Sequence, residues 1–178
     1  QTEMGQERWQ AKKILIATGS ESLSLPGIEM DEETIVSSTG ALSLKAVPEK
    51  MIVVGGGYIG LEMGSVWQRL GAKVTVIEYM DRLVPQMDSE LSSALQKSLM
   101  KQGMEFKLST KVLGIKKQSK HSVVEIELNG KNKNGEHRQE LTADVVLIAT
   151  GRKPFTQGLG LEKIGVALNK QGFIAVNE

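Results

Sequence analysis

Residues 51–78 read MIVVGGGYIGLEMGSVWQRLGAKVTVIE, and this stretch decides the fold. Residues 51–54 are a short apolar run of the kind that forms a buried parallel strand. Three glycines follow in G-x-G-x-x-G spacing: Gly55, Gly57 and Gly60. The pattern of apolar residues then predicts a helix over 59–70, which Gly71 ends in a left-handed conformation. A second apolar strand is predicted over 74–77.

This order of strand, glycine-rich turn and helix is typical of a dinucleotide-binding fold. Gly55 permits the tight turn, Gly57 lets a pyrophosphate approach the backbone, and Gly60 lets the helix pack closely on the strand. The N–H groups and the positive dipole end of the helix N-terminus favour an anion there. A glycine-rich turn that merely connects two elements is the alternative. We favour the binding interpretation because strand, helix and a terminal acid all accompany the glycines.

The terminal acid is Glu78, about twenty residues beyond the glycines, where a carboxylate can accept hydrogen bonds from an adenosine ribose. A 2′-phosphate at the same place would meet a like charge. The sequence therefore predicts a preference for NAD over NADP.

Composition narrows the function classes. The chain has 178 residues, 40% of them hydrophobic and 24% charged, with a formal net charge of +1. These values predict a soluble globular α/β domain, and without a basic block they disfavour nucleic acid or an anionic membrane as a partner. No apolar run is long enough to span a bilayer. The chain has no cysteine, which excludes a disulfide framework and a thiol nucleophile within it. Its two histidines lie in polar stretches and predict no metal site.

The flanking sequence predicts further elements. Residues 13–17 read as an apolar strand, and the connector from there to about residue 50 reads as mostly irregular, with a short helical turn through Leu44 that Ser37 or Ser38 could cap. Asp88 predicts the start of a helix over 89–102, whose inner face would carry four apolar residues. These are Leu91, Ala94, Leu95 and Leu99.

Beyond a third parallel strand over 105–108, the helical pattern disappears. Three strand candidates follow without helices between them: 111–117, 122–128 and 136–141. Residues 129–135 read as a polar hairpin turn, so these three strands should form an antiparallel meander. Residues 144–149 predict the fourth parallel strand, and a helical turn over 159–165 and a strand over 173–176 follow. The fold class is therefore α/β, a Rossmann-like parallel sheet with a three-stranded antiparallel meander inserted before the last parallel strand.

Two Ala-Thr-Gly segments, 17–19 and 149–151, bracket this fold. Together with SSTGALSLKAVPEKM, VVGGGYIGLEMGSVWQRLGAKVTVIE and IATGRKPFTQGLGLEKIGV, they make nearly the whole chain resemble the FAD-dependent pyridine nucleotide-disulfide oxidoreductases. The resemblance implies an FAD/NAD(P)-binding fold in three parts. Residues 1–46 would be the end of an FAD domain and a connector, 47–155 the NAD-binding domain, and 156–178 a return segment toward the FAD domain.

The resemblance also implies roles for individual residues. NAD would be held by Gly55, Gly56, Gly57, Tyr58, Ile59 and Gly60, with Glu62 near the nicotinamide end, Glu78 on the adenosine ribose, Val112 near the adenine and Gly151 near the nicotinamide half. Thr18, Gly19 and Ser20 match the segment that touches FAD. NADP-using relatives carry arginines just after the second strand. Arg82 stands near that place, but because Glu78 is present we interpret Arg82 as a surface residue.

Within the family, the pattern is most similar to members that oxidise protein-bound dihydrolipoamide, passing electrons through a disulfide and FAD to NAD. The partners implied are the rest of the FAD enzyme, a homodimer partner and the lipoyl domains of a 2-oxoacid dehydrogenase complex. The redox cysteines and the His-Glu pair of the family have no counterpart here. We therefore expect a piece of a longer enzyme with no catalytic residue of its own, located in a bacterial cytoplasm or a mitochondrial matrix. The alternatives are a domain of a mercuric reductase-like enzyme and a stand-alone, non-catalytic NAD-binding module.

Overall fold

The computed structural model of the chain describes residues 8–130 and 135–177. These residues form two compact units, one of residues 22–152 and the other of residues 8–21 together with 153–177. Among the helices in the described part of the chain, none is long and apolar enough to cross a membrane.

A parallel sheet of five strands forms the centre of the larger unit. The strands are β2 (Ile35–Val36), β3 (Lys50–Val54), β4 (Lys73–Ile77), β5 (Glu105–Lys107) and β9 (Val145–Ile148). Their order across the sheet is β2-β9-β3-β4-β5. At its carboxyl end β3 has Ile77 of β4 opposite Val54 on one side and Ile148 of β9 on the other. The predicted α/β class with a parallel sheet is confirmed.

Helices cover one face of this sheet. They are α1 (Ser38–Leu42), α2 (Tyr58–Arg69) and α3 (Ser89–Lys101). Met51 and Val53 of β3 pack into this layer with Leu61 and Trp67 of α2. The Trp67 indole N–H donates to the carbonyl of Ala41 at 3.2 Å and thereby joins α2 to α1. Helix α2 stops where predicted, because Gly71 has a φ of 113°.

The predicted meander covers the other face. It consists of β6 (Thr110–Lys117), β7 (Ser122–Leu128) and β8 (Arg138–Ala143), paired antiparallel in that order. Val124 and Ile126 of β7 pack against Ile52, Val54 and Ile148 of the parallel sheet. Because both faces of the sheet are buried, its central strands β3 and β9 are nearly continuous apolar runs in the sequence. Residues 131–134 of the predicted hairpin turn lie outside the described residues.

Two local predictions for the larger unit were wrong. The helical turn predicted within the connector is confirmed as α1, which Ser37 caps, but the connector also contains an edge strand, β2; Ile35 lies opposite Val146 of β9. Two residues are too few to show the alternation that marks a strand in a sequence. In α3 the buried residues are Ser92 and Leu99, whereas Leu91 is 58% exposed and Leu95 37%. Ser92 sets this rotation of the helix, because its hydroxyl donates to the buried carbonyl of Leu83 at 2.5 Å.

The smaller unit contains little regular structure. Strands β1 (Ser20–Ser22) and β10 (Arg152–Pro154), which lie mostly in this unit, form a two-stranded sheet. A 3₁₀ turn over Leu161–Ile164 lies inside the predicted helical turn. The predicted strand over 173–176 is reduced to one bridge between Leu168 and Ile174. The predicted strand over 13–17 is not formed, since it has no neighbouring strand among the described residues to pair with.

Asp31 fixes the start of β2. Its Oδ1 accepts the N–H groups of Glu33, Thr34 and Ile35 at 2.9, 2.7 and 2.9 Å. Its Oδ2 accepts the Thr34 hydroxyl at 2.7 Å and the ammonium group of Lys117, on β6, at 2.5 Å. Burial alone would raise the pKa of the Asp31 carboxyl, but these donors outweigh it and hold that pKa well below its ordinary range.

We expect Asp31→Ala to lower the free energy of unfolding at pH 7 by about 1–2 kcal/mol, because it orphans several backbone donors. The folded-state pKa is depressed, so this stabilisation is complete above about pH 4 and disappears as the pH falls through the folded value. Urea unfolding at pH 7 and pH 3 measures both effects. Glu29→Ala, which removes an exposed carboxylate from the same segment, is the matched control. An equal loss of unfolding free energy at pH 7 and pH 3 would show that Asp31 does not stabilise this segment as a charged carboxylate.

Candidate functional site

A cleft of about 490 Å³ opens at the carboxyl edge of the parallel sheet, within the larger unit. It is lined by Ser22, Ser38, Val54, Gly55, Gly57, Tyr58, Ile59, Ile77, Glu78, Tyr79, Pro85, Gln86, Thr110, Lys111, Val112, Ile148, Ala149, Thr150, Gly151 and Arg152. After β3 the chain continues to β4 on one side, whereas β9 lies on the other. Open α/β sheets bind their ligands at such a switch point.

Two of the motif glycines are required by packing. Gly55 has a φ of 113°, and a β-carbon on it would lie 2.3 Å from the carbonyl oxygen of Ala149. A β-carbon on Gly60 would lie 2.2 Å from the carbonyl oxygen of Gly55. Gly60 therefore lets α2 pack closely on β3, as predicted, and Gly55 lets the turn pass close to the residue that follows β9.

Gly57 differs from both. Its φ of −77° suits any residue, and a β-carbon on it would have no neighbour within 4 Å. Neither the backbone conformation nor the packing of the chain therefore requires glycine at this position. Gly57 lines the cleft, so a missing side chain here leaves room for a ligand to contact the backbone.

Helix α2 begins directly after Gly57 and presents its N-terminus at this point. Gly57 provides no side-chain cap, and the first turn contains no acidic residue. The N–H groups of a first helical turn lack partners within the helix. Tyr58 and Ile59 of this turn also line the cleft. The site thus combines free donors and a positive dipole end with the absence of a competing carboxylate, which suits a phosphate group.

Glu78 follows β4 and is only 8% exposed. Its Oε2 accepts the N–H of Gly56 at 2.6 Å, and its Oε1 accepts the N–H of Met80 at 2.7 Å. A carboxylate oxygen can accept a second hydrogen bond. Glu78 therefore sits in the cleft wall as a fixed acceptor with capacity for two hydroxyl groups.

Val112 and Gly151 line the same cleft. Val112 is half-buried near the start of β6, and Gly151 follows β9 with a φ of 139°. The structure thus brings together the following predicted site residues: Gly55, Gly57, Tyr58, Ile59, Glu78, Val112 and Gly151.

Other predicted residues do not line the cleft. Gly56 and Gly60 lie behind its surface, where they pack against Glu78 and Gly55. Glu62 is exposed on α2, outside the lining. Their predicted contacts with NAD stay predictions, as do those of the residues that line the cleft.

The segment predicted to touch FAD lies in the smaller unit. The Thr18 hydroxyl donates to the carbonyl of Phe155 at 2.6 Å, and the carbonyl of Gly19 accepts the Phe155 N–H at 3.0 Å. Gly19 has a φ of 73°, and Ser20 begins β1. The structure thus places these three residues beside residues 152–155.

One wall of the cleft is not predicted by the sequence; it is formed by Tyr79, Pro85 and Gln86. Pro85 breaks regular structure, so the segment has no helix or strand pattern in the sequence. It is held in place by a hydrogen bond of 2.9 Å from the N–H of Val84 to the carbonyl of Gly56. No local sequence pattern predicts this bond. Arg82 is exposed, as predicted, and donates to the carbonyl of Pro85 at 3.0 Å.

Comparison with known proteins gives a consistent result. A family model described as pyridine nucleotide-disulphide oxidoreductase matches residues 1–178. The chain is 52% identical over 175 residues to dihydrolipoamide dehydrogenase of Chaetomium thermophilum, covering 98% of the chain and 34% of that protein. It is 52% identical over 167 residues to mitochondrial dihydrolipoyl dehydrogenase of Pisum sativum, covering 94% and 32%. The chain thus spans about a third of the length of these curated relatives.

A solved structure also matches. The HOCl-induced flavoprotein disulfide reductase RclA from Escherichia coli superimposes with a TM-score of 0.76 at 32% sequence identity. The match covers 90% of this chain and 35% of that protein. The likeness in structure thus extends over most of the chain and supports the same family.

Proposed function

We propose that this chain, which belongs to the pyridine nucleotide-disulphide oxidoreductase family, is the NAD-binding part of a dihydrolipoyl dehydrogenase. The names of the two relatives at 52% identity support the choice within the family. The observation that carries the binding role is Gly57, a cleft residue whose missing side chain is explained by neither conformation nor packing.

The residues of the cleft fit a dinucleotide. Gly57 and the first turn of α2 would hold the pyrophosphate, and Glu78 the adenosine ribose. Val112 would contact the adenine and Gly151 the nicotinamide half. Bound NAD would supply the hydride acceptor of the enzyme, and residues 18–20 would contribute to holding its FAD.

The chain's own contribution is to bind and orient that acceptor. Glu78 is buried and doubly hydrogen-bonded, so its carboxylate is ready to accept two ribose hydroxyls without first becoming ordered. The same charge would repel a 2′-phosphate. The N-terminus of α2 adds positive potential where the pyrophosphate would lie.

The activity of the whole enzyme extends this proposal. We propose that it oxidises protein-bound dihydrolipoamide and acts as a homodimer. Its partners would be the lipoyl domains of a 2-oxoacid dehydrogenase complex. The mitochondrial name of the Pisum sativum relative favours a mitochondrial matrix over a bacterial cytoplasm. The chain has no cysteine, so the dithiol–disulfide chemistry would belong to residues outside it.

Binding is tested by titrating the purified chain calorimetrically with NADH and, separately, with NADPH. We expect saturable NADH binding and at least about tenfold weaker NADPH binding, the effect of one unfavourable charge contact. Failure of a folded chain to bind either dinucleotide at millimolar concentration would contradict the proposed function. Circular dichroism establishes that the chain is folded.

We also expect the isolated chain to show no dihydrolipoamide oxidation, because it has no cysteine for thiol–disulfide exchange. An NAD-coupled assay with free dihydrolipoamide measures this, with a full-length relative as the positive control. Dihydrolipoamide oxidation by a chain that has been purified free of host enzyme would contradict the proposal that residues outside the chain carry out the dithiol–disulfide chemistry. NADH binding by a chain that is the complete gene product would favour the stand-alone module instead.

A further inference from the structure

Gly56 is the one residue of the glycine-rich turn before α2 whose purpose the dinucleotide motif leaves unexplained. It is not among the three glycines of the spacing, and it does not line the cleft. Both polar groups of its backbone are nevertheless engaged. Its N–H donates to Glu78 Oε2 at 2.6 Å, and its carbonyl accepts the N–H of Val84 at 2.9 Å. Gly56 thus links the Glu78 carboxylate to Val84, which lies in the segment that forms one wall of the cleft.

Close packing explains why this residue is glycine. A β-carbon on Gly56 would lie 2.8 Å from Leu83 Cδ2, 3.1 Å from Glu78 Oε2 and 3.2 Å from Glu78 Cβ. Leu83 is fully buried and has no free space to move into, whereas the Glu78 side chain borders the cleft. Even a methyl group at this position would therefore displace the carboxylate from its place.

Val84 supports the same arrangement from the other side. Its φ is 38°, a left-handed conformation that β-branched residues avoid. The conformation is held by the bond of Val84 to Gly56, by a bond of 2.8 Å from the N–H of Met87 to the carbonyl of Val84, and by burial of Leu83. Strain of this kind persists only where several contacts impose it, and it is concentrated at functional sites.

We propose that Gly56 and Val84 are positioning residues that hold the Glu78 carboxylate rigid, and that this rigidity sets the discrimination between a ribose 2′-hydroxyl and a 2′-phosphate. The inference rests on the proposed function. A mobile carboxylate would turn away from a 2′-phosphate and lose most of the repulsion. Gly56 and Met80 instead hold one oxygen each, so the charge stays in the cleft wall and the acceptors stay aimed at the hydroxyls.

The test compares the ratio of the dissociation constants for NADPH and NADH across variants of the whole chain. We expect Gly56→Ala to reduce this ratio about tenfold, mainly through weaker NADH binding, as loss of one hydrogen bond to a charged group would do. Gly64→Ala is the matched control, because its β-carbon would press on the flexible end of Met104, at 3.0 Å, away from the cleft. Gly64→Ala should lower the melting temperature and leave the ratio of the two dissociation constants unchanged.

A second pair of variants tests Val84 and guards against a misfolded Gly56→Ala chain. Asparagine tolerates the left-handed conformation, whereas glycine leaves the segment flexible. Val84 is buried in the apolar cluster, so Val84→Asn should lower stability. We expect Val84→Gly to reduce the ratio more than Val84→Asn does. Equal ratios in wild type, folded Gly56→Ala and Val84→Gly would overturn this inference alone. A folded wild-type chain that binds neither dinucleotide would overturn the proposed function and this inference with it.

Discussion

Gly57→Ala should abolish measurable NADH binding and leave the fold intact. A β-carbon at this position has no protein neighbour within 4 Å, and the φ of −77° suits alanine. The methyl group would project where the pyrophosphate approaches the backbone, so we expect the affinity to fall about 100-fold or more, in line with the loss of several charge-assisted hydrogen bonds. Calorimetric titration measures the affinity, and thermal unfolding should give a melting temperature within a few degrees of wild type.

Gly55→Ala is the matched variant with the opposite outcome. Alanine there is strained at a φ of 113°, and its β-carbon would lie 2.3 Å from a backbone oxygen that cannot move independently. We expect a loss of at least about 3 kcal/mol in unfolding free energy, or roughly 6–12 °C in melting temperature. If Gly57→Ala were as unstable as Gly55→Ala, or bound NADH normally, the assignment of Gly57 to the ligand would be wrong.

Glu78→Gln should impair both stability and selectivity. The amide has a single oxygen, so its NH₂ group must face the N–H of either Gly56 or Met80, and a buried donor loses its acceptor. We expect about 1–3 kcal/mol less stability, about 10–100-fold weaker NADH binding, and a smaller difference between NADH and NADPH. Urea unfolding and the paired titrations measure these effects.

Glu90→Gln is the control for Glu78→Gln, because Glu90 is an exposed acid in the first turn of α3, away from the cleft. Its stability and its two affinities should match those of wild type within error. Unchanged discrimination in a folded Glu78→Gln chain would show that the selectivity comes from another cleft residue. Lys111 would then be the next to test, since it is the exposed lysine of the lining.

Sequence alone determined the strand–turn–helix–strand unit and the position of its acid. These features depend on local chemistry: a buried strand needs an apolar run, the turn needs glycine, and the helix ends at Gly71 with a φ of 113°. Val124 and Ile126 alternate with Glu125 and Glu127, a pattern that predicts a strand with one buried face because side chains of a strand alternate between faces, and both apolar residues are buried in the structure. Such signals need no knowledge of distant contacts.

The tertiary structure alone decided features that depend on distant partners. Strand β2 is too short to have a pattern of its own and exists because β9 pairs with it. The rotation of α3 follows from one buried hydrogen bond of Ser92, which overrides the apolar face that Leu91 and Leu95 suggested. The wall segment lies at the cleft because Val84 reaches Gly56, and Glu78 is rigid because Gly56 and Met80 each donate to it. A sequence pattern records which residues favour a local conformation, whereas these contacts join residues that come together only when the sheet is assembled.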